Sequence, residues 1–107
     1  MICDSNIVIY AAEPGDTLCS PFLQDSKAMI ASVSRIEVLG FPRFSALSAD
    51  RQDRLQTLVN STGEAPLDDE LIERAIALRQ QKKMGLGDAI IAATALEYDL
   101  PLVTRNE

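Results

Sequence analysis

AIIAATAL, residues 89–96, is apolar on nearly every face that a helix would present. Such a helix belongs in the interior, covered on all sides. A helix over residues 86–98 is therefore expected as the central buried element. PLVT, residues 101–104, follows it and reads as a short strand. Working outward towards the N-terminus, the same alternation recurs.

MICD, residues 1–4, reads as a very short strand that leads into a helix over residues 5–13, ended by Pro14 and Gly15. A second short helix is expected over residues 17–27, with Ser20 before Pro21 as its start. AMIAS, residues 28–32, reads as a buried strand. Ser34 is expected to cap the next helix, which carries Ile36 to Leu39 and ends near Phe41 and Pro42. Residues 48–61 form an amphipathic pattern with Leu55, Leu58 and Val59 on one face. Residues 63–67 can hold a short strand. The helix after it opens with Asp68, Asp69 and Glu70 and closes with Arg79, Lys82 and Lys83, a charge order that suits the helix dipole. Gly85 is expected to stop it. Short apolar strands alternating with helices imply an α/β class with a parallel sheet covered on both faces. In such sheets ligands bind beyond the carboxyl ends of the strands.

At 107 residues the chain fits one small domain with room for a real core. Trp is absent and aromatics are few, so Ile, Leu, Val and Ala must build that core. A formal net charge of −6 argues against binding nucleic acid through charge alone, which needs Lys and Arg against phosphates. It leaves open a metal, which reverses the local sign. There is no histidine, so His-based triads, His-ligated zinc and a His general base are excluded. The two cysteines, Cys3 and Cys19, have neither metal-like spacing nor the number that a disulfide framework needs. No apolar run reaches the ~18–20 residues of a membrane span, and no secretory signal is visible, so a cytoplasmic protein is expected.

Most of the 16 acidic residues lie on solvated helix faces. Asp4, Glu37 and Asp88 differ because their neighbours are apolar. Asp4 ends the first strand, Glu37 is expected in the first turn after the second strand, and Asp88 opens the apolar helix. A parallel sheet can bring all three to one edge. Three carboxylates there repel one another unless a divalent cation joins them, and oxygen-only donors suit Mg²⁺ or Mn²⁺. Each acid also has an ordinary role open to it. Asp4 and Asp88 can cap their helices, and Glu37 can sit favourably in a helix dipole.

These stretches resemble a known family. ICDSNIVIY, residues 2–10, is similar to the opening of PIN-domain ribonucleases, where an Asp ends the first strand and an Asn follows two residues later. SVSRIEVLGF, residues 32–41, resembles the second motif, with Glu37 at its acidic position. GLGDAIIAATALEYDLPLVTRNE, residues 85–107, closely resembles the third and fourth motifs of bacterial VapC-type toxins. The resemblance runs in order along nearly the whole chain. It implies a PIN-like three-layer α/β/α fold with a short central parallel sheet, in one domain over residues 1–107. It implies a Mg²⁺- or Mn²⁺-dependent endoribonuclease, the toxin of a toxin–antitoxin pair, blocked by a VapB-type antitoxin and commonly dimeric. Asp4, Glu37 and Asp88 become the catalytic, metal-binding acids, with Asn6 and Thr104 as supporting pocket residues. Asn106 stands at the fourth position, where some members have Asp and others place an Asp a few residues later. The sequence stops at Glu107, before that later Asp could occur, and the last strand usual in the family is expected to be missing.

A cation held by Asp4 and Asp88 would give a water nucleophile near neutral pH without histidine. Arg79, Lys82, Lys83 and Arg105 are candidate RNA contacts, although the ordinary reading of each is a solvated helix or terminal charge. Phe41 and Phe44 are candidates for a partner surface. Two other functions remain open: a catalytically weak or inactive PIN-like binding or regulatory module, and a carboxylate-based phosphatase. The last fits poorly, because ICDSN lacks a second Asp two residues after the first.

Overall fold

Ile2 and Cys3 point to opposite faces of one strand, and that alternation organises the molecule. In the computed structural model, which describes residues 1–105, four short strands form one fully parallel sheet in the order β3-β2-β1-β4. They are β1 (Ile2–Cys3), β2 (Met29–Ala31), β3 (Gly63–Ala65) and β4 (Leu102–Val103). Ile2 lies opposite both Met29 and Leu102, so β1 is held on both sides. The helices are α1 (Ser5–Ala11), α2 (Ser20–Gln24), α3 (Ser32–Leu39), α4 (Ala49–Ser61), α5 (Asp69–Gln81) and α6 (Leu86–Tyr98). A 3₁₀ turn spans Phe44–Ala46.

One face of the sheet sends Cys3 and Ile30 into a core with Ile7 and Val8 of α1, Val38 of α3, and Leu55 and Val59 of α4. The other face sends Ile2 and Ala31 against Ile91 and Ala95 of α6. Beyond them, Leu71 and Ala75 of α5 pack on Ala89, Ile90 and Ala93 of α6. The result is the expected helix–sheet–helix layering. Helix α6 is the most buried helix, as its sequence requires: Ala89 and Ala93 are fully enclosed. Its one buried polar side chain, Thr94, donates to Ile90 O at 2.7 Å, so no orphan hydroxyl remains. Asp99 ends α6 in the left-handed conformation at φ 52°, before Pro101 stops any continuation.

Four local expectations need correction. Helix α3 starts directly off β2, at Ser32, with Ala31 as an uncapped boundary. Ser34 therefore lies inside the helix, fully buried, and does not cap it. Glu37 consequently sits in the second turn rather than the first. The strand runs into this helix without a connecting loop, which sequence periodicity does not mark. Helix α5 ends at Gln81, and Gly85 is the N-cap of α6 with φ −68°, not a left-handed stop. Lys82 ends α5 by adopting an extended backbone, its N–H donating to Leu78 O at 3.0 Å. Helix α2 is shorter than expected because Asp16 Oδ2 accepts from Cys19 N and Ser20 N, at 3.0 and 2.7 Å, and sets its start.

Candidate active site at the carboxyl edge of the sheet

Asp4 leaves β1 at its carboxyl end and opens α1. Its Oδ1 accepts from Ile7 N at 3.0 Å, so it does cap this helix. Its own N–H donates to Val103 O at 3.0 Å, which fixes the backbone against β4. Capping occupies one oxygen in one direction only, and the carboxylate still lines the cleft. Glu37 reaches the same place from α3, and Asp88 from the first turn of α6. Asp4, Ser5, Asn6, Glu37, Asp88 and Ile91 together line a small cavity of about 100 Å³. The three acids and Asn6 from the sequence reading thus meet at one edge of the sheet.

Burial pushes the Asp4 carboxyl above its ordinary value, opposed by the Ile7 and Asn6 N–H groups and reinforced by the charges of Asp88 and Glu37. The acids therefore feel one another across the cleft. They line it without closing on a point: among the described residues no group of three or more His, Cys, Asp or Glu side chains is tight enough to enclose an ion.

Glu37 is held by residues to which the sequence reading gave no role in the site. Ser5 Oγ lies 2.6 Å from Glu37 Oε1 and 3.0 Å from Ser34 Oγ. A carboxylate only accepts, so Ser5 donates to Glu37 and receives the Ser34 proton. The i, i+3 spacing of Ser34 and Glu37 on one helix was a usable signal for this chain. Gly87 completes the support: a Cβ there would stand 2.6 Å from Glu37 Oε2. Its missing side chain is what lets α6 bring Asp88 up to Glu37.

A second cavity, of about 370 Å³, adjoins the first and shares Asp4, Asp88 and Ile91 with it. Lys82, Thr104, Met84 and Leu102 are among its other lining residues. Of the remaining candidate contacts, Arg79 lines an apolar cavity between α5 and α6 with Ile72 and Leu86. The Arg105 guanidinium lies 4.1 Å above the Tyr10 ring, with Nη1 3.9 Å from Cys19 Sγ. Lys83 is exposed beyond the end of α5 and lines neither acidic cavity. Asn106 lies outside the described residues. Phe41 and Phe44 meet edge to face with centroids 5.8 Å apart, and Phe44 packs on the core. Cys3 is fully buried and burial pushes its thiol up to about 11, so it is a core residue rather than a nucleophile.

The family model of the PIN domain matches residues 1–107. The chain belongs to the PIN-domain family. No curated protein sequence matches it. Among solved structures, a chain of a toxin–antitoxin complex from Klebsiella pneumoniae superposes with a TM-score of 0.79 at 28% identity, covering 98% of this chain and 85% of that one. VapBC2 from Rickettsia felis, bound to a DNA fragment from its promoter, superposes at 0.79 with 18% identity, covering 98% and 86%. FitAcB from Neisseria gonorrhoeae superposes at 0.71 with 21% identity, again covering 98% and 86%. The last two show likeness of fold. Among the described residues of this PIN domain, no helix is long and apolar enough to cross a membrane.

Proposed function

We propose that this PIN domain is a metal-dependent endoribonuclease and the toxin of a VapBC-type pair, acting in the cytoplasm. The observation that carries the reading is the meeting of Asp4, Glu37 and Asp88, from three separate segments, in one cleft. Like charges are costly to gather without a counter-charge, and the donors are all oxygen, a donor type that suits Mg²⁺ or Mn²⁺. Asp4 and Asp88 border both cavities and are the principal ligands, with Glu37 completing the set. When bound, the cation would supply Lewis-acid and water-activating chemistry that needs no histidine.

The protein residues do the remaining work. Asp4 stays in place through its capping bond and its backbone bond to β4. Ser5 and Ser34 aim Glu37, and Asn6 and Thr104 offer polar groups to the strand of RNA. The likeness to a chain of the Klebsiella toxin–antitoxin complex supports an antitoxin as partner; a VapB-type antitoxin and a homodimeric toxin are parts of the proposal that rest on the family resemblance. The looseness of the acid set among the described residues favours one other reading, a binding or regulatory PIN module.

The experiment is cleavage of a panel of structured RNAs with Mg²⁺ or Mn²⁺, against EDTA and against Asp88→Asn. Metal-dependent cleavage that the variant loses is the expected result. No cleavage under any condition, with the fold intact, would replace the nuclease with the binding module.

A further inference from the structure

The second cavity asks for a ligand of mixed character. At about 370 Å³ it falls within the size of cavities that seat small molecules, ~300–1,000 Å³. Its wall offers Met84, Ile91 and Leu102 as apolar surface, the Thr104 hydroxyl, and one cation, Lys82. Arg35, Arg51, Arg54 and Arg74 are each tied to a carboxylate: Glu64, Glu13, Asp50 and Glu97. Lys82, Lys27, Arg43, Arg79 and Lys83 form none of these ion pairs among the described residues, and of these five only Lys82 lines a cavity together with Asp4 and Asp88. The extended backbone at Lys82 turns the chain out of α5 beside this cleft.

From this we infer that the second cavity is a nucleotide subsite, and that Lys82 binds the phosphate next to the one at the acids. An apolar wall suits the face of a base or ribose, a hydroxyl suits a sugar or base edge, and an unpaired ammonium suits a phosphate oxygen. The shared Asp4 and Asp88 make the two cavities consecutive positions along one strand. Lys82 is here a positioning residue: it selects the register of the RNA and does not touch the reacting atoms. The inference rests on the nuclease reading for the identity of the strand, but not for the binding itself.

The test is a titration of ¹⁵N-labelled protein with adenosine 5′-monophosphate in Mg²⁺, read at the amides of Lys82, Met84, Ala92 and Thr104. Lys27→Ala, which removes the same charge at the amino edge of the sheet, is the control. Shifts at those amides in wild type are expected, with affinity about ten-fold weaker in Lys82→Ala, as for one lost hydrogen bond to a charged group. Lys82→Arg should restore most of it, and Lys27→Ala should match wild type. The salt dependence of affinity should be shallower in Lys82→Ala, which a merely structural role would not produce. Shifts elsewhere, or equal affinity in Lys82→Ala and wild type, would overturn the subsite. Binding here without RNA cleavage would keep the subsite and remove the nuclease. Cleavage without these shifts would do the reverse.

Discussion

Gly87→Ala separates the site from the fold. The new Cβ would stand 2.6 Å from Glu37 Oε2 and 3.2 Å from Cδ, against an ordinary separation of about 3.5 Å. The neighbour that must yield is the free end of a flexible, exposed side chain, not backbone. The carboxylate therefore moves by roughly 1 Å and leaves the Ser5 hydroxyl, which now holds it at 2.6 Å. A displacement of about 1 Å in a reacting constellation costs about 10²-fold in rate. Stability responds differently. Ala gains up to about 0.5–1 kcal/mol over Gly within a helix, offset by loss of the exposed Ser5–Glu37 bond. The net change should stay within about 1 kcal/mol, or several degrees in melting temperature. The assay is kcat/KM on a cleaved RNA beside a thermal melt. Wild-type activity would refute the role given to Glu37. A melting temperature lowered by more than about 10 °C would refute the view that only the carboxylate yields.

Asp4→Asn keeps a good helix cap, so it should lose metal-dependent cleavage by at least about 10²-fold while remaining folded. Burial and like charge hold Asp4 above 3.8 in the folded chain, so as pH falls the folded state takes up the proton first. Stability from this group therefore rises as pH drops through the raised value and levels off below 3.8. In EDTA the variant should melt above wild type at neutral pH, and a pH series of melts should show the gap closing on acidification. Mg²⁺ at ten times its Kd should stabilise wild type by about 1.4 kcal/mol, and Asp88→Asn should show no such rise in a thermal melt. Leu71→Ala, at a fully enclosed position between α5 and α6, should cost about 2–5 kcal/mol in a urea titration without touching the acids. Asp99→Gly relieves the left-handed residue at the end of α6 and should raise the melting temperature by a few degrees.

The layering was legible because periodicity reports burial. The uniform apolarity of residues 89–96 announced α6, and the brief runs before Asp4 and around Ile30 announced strands enclosed on two faces. Asp4, Glu37 and Asp88 were legible as polar residues in apolar company. The support around them was not. Ser5 and Ser34 are ordinary helix-start residues by sequence, and their pairing depends on how α1 and α3 lie side by side. Gly85 read as a helix stop because its neighbours gave the right signal, whereas its observed φ is one that any residue adopts. Lys82 read as a dipole partner for α5 and as one of four candidate RNA contacts; what set it apart from the other three was not legible, since sequence alone does not show which way a chain turns after its last helical hydrogen bond.

The pairing of β1 with β4 also orders events in time. Ile2 N–H donates to Pro101 O at 2.8 Å, and Asp4 N–H to Val103 O at 3.0 Å. These contacts join the first residues of the chain to some of the last, and contacts so distant in sequence close late. A nascent chain that has not yet delivered β4 from the ribosome already carries Asp4, Glu37 and Asp88, but Asp4 lacks the strand that anchors its amide. For the nuclease proposed above, made on a machine built of RNA, the cleft reaches its working shape only after β4 has been translated.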